Sequence, residues 1–177
     1  LTTGYHRTNS EMERKNNTHQ TAFGANVNYS NGGFHVGVTA VHTSLNRTLS
    51  PDTRQTYRAH YPSGDSFWNA SVDYGYMSRR LSIGGETATG GSGGLATINT
   101  ISYELIPSLR LTALQRFYSY KYYSLFSRSF GDASMVQNES GVYVGATWRP
   151  LAWLSLMAYS DFAYHPQPVY QDRKSTR

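Results

Sequence analysis

Apolar and polar residues alternate one for one along most of this chain, a period of two that fits strands and not amphipathic helices. The clearest stretch runs from His19 to Tyr29, where Thr21, Phe23, Ala25, Val27 and Tyr29 share one face and Gln20, Ala22, Gly24, Asn26 and Asn28 the other. Ser30-Asn31-Gly32-Gly33 then supplies a hairpin turn. The next strand answers with Phe34, Val36, Val38 and Ala40 against His35, Gly37 and Thr39. Further alternating runs cover Trp68 to Tyr76, a strand opening at Leu81-Ser82-Ile83, Leu95 to Leu105, Leu109 to Tyr118, Gly141 to Trp148 and Ala152 to Tyr164. In Leu95 to Leu105, Asn99 falls on the face of Leu95, Ile101 and Tyr103, which predicts a β-bulge near Asn99 to repair the pattern.

About eight strands result, each near the ~9–11 residues that cross a bilayer when tilted, with a weaker one at Thr2-Thr8. Tight turns at Asn31-Gly32, Met77-Arg80, Pro107 and Pro150 alternate with polar connections at Glu11-Asn17, Thr43-Asp65, Gly90-Gly94 and Ser119-Gln137. Short turns at one end and longer loops at the other are the habit of bacterial outer-membrane barrels. Tyr29, Phe34, Tyr74, Tyr76, Trp148 and Trp153 flank the tight turns, as interfacial rings would. The expected fold is therefore an all-β, antiparallel, up-and-down transmembrane β-barrel. It forms one domain over residues 1–170, a fragment of a larger barrel, followed by a polar tail at 171–177.

Composition agrees. Among 177 residues, 15 are Tyr, 7 Phe, 3 Trp and 16 Gly, and the charged share is 15%. Mean hydropathy is −0.54, and no apolar run approaches the ~18 residues of a membrane helix. The complete absence of Cys removes disulfides and thiol chemistry. The net charge of +5 is scattered, with no basic stripe, so no nucleic-acid partner is indicated.

Ordered blocks of the chain look familiar. They are Arg58-Ala59-His60-Tyr61-Pro62-Ser63-Gly64-Asp65-Ser66-Phe67-Trp68-Asn69-Ala70-Ser71-Val72-Asp73-Tyr74, Gly93-Gly94-Leu95-Ala96 and Tyr118-Ser119-Tyr120-Lys121-Tyr122-Tyr123-Ser124-Leu125-Phe126-Ser127. Gln137-Asn138-Glu139-Ser140-Gly141-Val142-Tyr143-Val144-Gly145 and Asp161-Phe162-Ala163-Tyr164-His165-Pro166 follow. Together, from about Tyr57 to Tyr170, they resemble the C-terminal barrel region of Bacteroidota outer-membrane proteins that often carry an N-terminal helix-hairpin-helix segment. The resemblance implies an outer-membrane location and lends no catalytic residue; the helix-hairpin-helix portion, and any DNA contact with it, is not in this sequence.

No catalytic residue, metal or cofactor is expected. His6, His19, His35, His42, His60 and His165 show no metal-ligand spacing, although His42 and His60 could meet across the long connection. No Ser lies in a G-x-S-x-G elbow, and Gly90-Gly91-Ser92-Gly93-Gly94 lacks the Gly-Lys-Ser/Thr of a phosphate cradle. If the apolar faces meet lipid, Asp73, Arg80, Glu86, Arg110 and Arg116 point into the lumen, where mixed signs permit inter-strand ion pairs or weak pore selectivity. In the Ser119-Gln137 connection, Tyr120, Tyr122 and Arg128 are candidates for binding a small solute, glycan or protein; an aromatic girdle continued above the membrane would use the same residues. The expected role is a structural or passive-transport barrel in the lipid bilayer of a bacterial outer membrane. Two rivals stay open, a surface binding module and a soluble lipocalin-like barrel whose apolar faces point inward.

Overall fold

The computed structural model describes residues 8, 9, 12, 18–54, 58–133 and 135–168. The predicted strand at Thr2-Thr8 and the tail at 171–177 lie outside them, apart from Thr8. Eight strands form one sheet: β1 (Gln20–Asn31), β2 (Phe34–Leu49), β3 (Gly64–Met77), β4 (Leu81–Gly90), β5 (Leu95–Ile106), β6 (Leu109–Tyr118), β7 (Glu139–Leu151) and β8 (Leu154–Tyr164). Each strand pairs antiparallel with its neighbours in chain order, so the sheet is an up-and-down meander. Among the described residues no pairing joins β1 to β8, and the sheet they form is open.

The connections sort by end. β1–β2, β3–β4, β5–β6 and β7–β8 are each joined by only two or three residues. At the opposite end lie 91–94 and the described residues of the 50–63 and 119–138 connections. The first short turn works because Gly32 and Gly33 take φ of 58° and 83°, which matches hairpin twist and which a β-carbon would oppose.

Three boundaries differ from expectation. β2 continues past Thr43 to Leu49, because Thr43 and Leu45 keep the alternation and are buried. The last reversal uses Ala152 and Trp153, whereas Pro150 lies inside β7. Pairing there is interrupted between Trp148 and Leu151, so the missing proline N–H breaks no ladder bond. The Gly90–Gly94 segment, expected among the longer connections, leaves only residues 91–94 outside strands.

The predicted bulge at Asn99 is absent. Pairing runs unbroken from Ala96↔Tyr118 to Glu104↔Arg110, and the irregularity falls between Glu104 and Ile106. Asn99 stays on the apolar face because side chains on β3, β5 and β6 satisfy it. Its Oδ1 accepts from the Tyr74 hydroxyl, and its Nδ2 donates to Gln115 Oε1 at 2.8 Å and Thr97 Oγ1 at 3.2 Å. A side-chain cluster of this kind keeps every ladder bond, which a bulge would interrupt.

Register sorts the side chains into two faces. One carries Phe23, Val27, Val38, Val72, Ile83, Ile101, Leu111, Val144 and Phe162, all exposed. The other carries Asp73, Glu86, Glu104, Arg110, Arg116 and Asp161. The small core sits on this second face, where Ala96, Tyr118 and Tyr122 are buried together and Ala88 and Val136 pack around them.

Candidate functional site

The 119–138 connection leaves β6 and lies back across the second face near the loop ends. Tyr122, 3% exposed, is the pin of this arrangement. Gly94 lets it seat, since a β-carbon there would stand 2.7 Å from Tyr122 Cα and 2.8 Å from the Lys121 carbonyl carbon. Asn69 Nδ2 donates to the Tyr123 carbonyl at 3.0 Å, and Phe67 meets the Tyr123 ring edge-on at 5.9 Å. Gln137 Nε2 donates to the carbonyls of Tyr120 at 2.8 Å and His60 at 2.9 Å, tying this connection to residues 50–63. Burial pushes the Tyr122 phenol above its ordinary value of 10.0, against hydrogen bonds with Ser127, Asn69 and Ser124.

Beside it lies a buried ionic clamp. Arg116 of β6 is 0% exposed. Its two terminal nitrogens donate to both oxygens of Asp161 on β8, at 2.7 and 3.2 Å, and its Nε donates to Glu139 on β7. The guanidinium also lies over the Phe130 ring, 5.1 Å from its centroid. Glu139 accepts from the backbone N–H groups of Asp132 at 3.0 Å and Ala133 at 3.4 Å, which fastens the loop to the sheet. Sequence marked Arg116 as a charge on the polar face; its partners, 23 and 45 positions away, carry no local signal.

The remaining candidates fall in different places. Asp73 and Glu86 stand directly opposite each other on β3 and β4. Asp73 is 3.6 Å from His35, while Glu86 lines a cavity of about 300 Å³ with Phe67, Asn69, Tyr122 and Phe126. Arg110 reaches Glu104 at 3.5 Å. Arg80 is not a wall residue: it lies in the β3–β4 turn, at the rim, because β4 opens only at Leu81. Tyr120 packs edge-on against His60 at 4.8 Å, and Arg128 is exposed and lines a small cavity of about 70 Å³ with Glu86 and Tyr118. Tyr122, expected as a binding residue, is buried in the small core and also lines both of these cavities.

His42 and His60 do not meet. His42 Nε2 is 3.0 Å from Ser66 Oγ and its ring lies 5.0 Å from Phe23, and among the described residues its buried Nδ1 has no hydrogen-bond partner. Among the described residues no group of three His, Asp or Glu is placed to hold a metal ion. Among the described residues no helix is long and apolar enough to cross a membrane. No protein-family model matches the chain, and no curated protein does.

Proposed function

We propose that this chain is part of the wall of an outer-membrane β-barrel, non-enzymatic, serving a structural or passive-transport role. Its apolar face meets lipid and its polar face lines a wet interior that the 119–138 connection narrows. The observation that carries this reading is the belt of exposed large apolar side chains across all eight strands, with Val27 at 73% and Phe23 at 67%. In water each such side chain forfeits about 1.5–3 kcal/mol of available burial, and soluble monomers rarely expose contiguous apolar patches beyond a few hundred Å². Meanwhile the fully buried Arg116 and Glu139 lie on the other face. A lipocalin-like barrel would require the reverse.

The open edges fit a larger barrel. Unpaired N–H and C=O groups along β1 and β8 are prohibitive in hydrocarbon, so additional strands would pair with both. The loop tyrosines favour narrowing over surface display, since Tyr122 is enclosed and Tyr120 is packed on His60.

The test is to fold the protein, together with the additional strands that would pair with β1 and β8, into detergent and lipid vesicles and then measure conductance in planar bilayers. The expected result is a species that precipitates without detergent, resists proteolysis within its strands and conducts ions. A chain that stays monodisperse in plain buffer would overturn the membrane assignment. A chain that inserts but never conducts would leave the structural role and remove transport.

A further inference from the structure

Two adjoining cavities open on the polar face at the short-turn end. One, of about 290 Å³, is lined by Arg79, Arg80, Arg110, Ser82 and Ser102. The other, of about 260 Å³, is lined by Arg110, Arg149, Ser108 and Thr147. Arg110 and Glu104 belong to both. The backbone fixes this gathering. Glu104 N–H donates to the Arg80 carbonyl at 2.8 Å, and Arg149 N–H donates to the Ser108 carbonyl at 2.7 Å. Arg110 stands directly opposite both Glu104 and Thr147 in register.

Among the described residues the charges there do not balance. Glu104 is the one described carboxylate lining either cavity, and it reaches Arg110 only at 3.5 Å, with the arginine side chain 63% exposed. Arginines that line adjoining cavities at one rim repel each other, and an anion between them relieves that repulsion. Their planar forks match the oxygens of a phosphate group two at a time, and neighbouring serine hydroxyls supply further donors.

We propose that this rim binds phosphate groups, with Arg80, Arg110 and Arg149 as the principal ligands. The site needs only the ends of β3 to β8 and their turns, so it stands whether or not the barrel conducts. The phosphate can be free or carried on a lipid headgroup.

The experiment uses the full chain folded in zwitterionic detergent at low salt. Inorganic phosphate is titrated in calorimetrically. Separately, the protein is floated with phosphatidylcholine vesicles with and without phosphatidic acid. Saturable binding of free phosphate identifies a soluble anion, and enrichment only on phosphatidic acid vesicles identifies a headgroup. The double variant Arg80→Gln/Arg110→Gln is expected to weaken binding at least about tenfold, as lost charge-assisted hydrogen bonds imply. Glu104→Gln is expected to tighten it, a gain that no misfolded variant would give. Arg54→Gln, in residues 50–63 and paired with Asp52, leaves binding unchanged. Failure of both probes to bind, or binding indifferent to the double variant and to Glu104→Gln, overturns the proposal.

Discussion

Arg116 and Arg110 sit six residues apart on the same strand and the same face, yet they live in opposite surroundings. Arg116 is enclosed by two carboxylates, an aromatic ring and a loop. Arg110 is largely exposed and holds one long contact to Glu104. The difference teaches that the polar face has two regimes. At the loop end charge is neutralised inside the protein and serves as a fastener; at the short-turn end positive charge is left in excess and available to a ligand.

The harshest way to test that contrast is Arg116→Ala. It would strand Glu139 and Asp161 beside each other without their cation, at a cost of about 3–5 kcal/mol, typical of breaking a buried ion pair. Urea unfolding of the refolded protein should show it as a lowered midpoint. A change within the range of exposed pairs would mean that the clamp is not enclosed in solution.

Alkaline pH acts more gently and only on the loop. The Tyr122 phenol, raised by burial, holds its proton more tightly when docked than when released. Below its ordinary value of 10.0 both states are neutral and the full docking energy is present. As pH climbs from there through the raised value, the released state ionises first and docking is lost. Proteolysis within residues 119–138 should rise over that window, with the strands still intact, and Tyr122→Phe should shift the onset upward.

The smallest effect belongs to Arg110→Gln. An exposed pair contributes about 0–1 kcal/mol, so unfolding should move within that range. A loss as large as that of Arg116→Ala would erase the distinction between the two ends.

Much of the sheet was legible in advance because alternation, glycine turns and polar gaps are local. Phe23 to Tyr29 and Trp68 to Tyr76 read as strands, and so they are. Asn99 misled because two of its three hydrogen-bond partners lie on β3 and β6, as far as 25 positions away. Tyr122 misled for a related reason. A tyrosine in a polar loop carries the same local signal whether it is displayed or buried, and distant contacts, among them the room left by Gly94 on a different loop, decide which. The gathering of Arg79, Arg80 and Arg149 beside Arg110 was equally hidden, since it depends on which strand ends meet.

By itself, the order of residues determined eight antiparallel strands, the division of side chains between an apolar and a polar face, and the sorting of turns by end. These follow from dihedral preferences and a period of two, which act between near neighbours. The tertiary structure decided that Arg116 is caged while Arg110 is largely exposed, that the 119–138 connection folds onto the sheet, and that four arginines share one rim. Those outcomes depend on register and on how far a connection folds back, quantities set by contacts between distant parts of the chain.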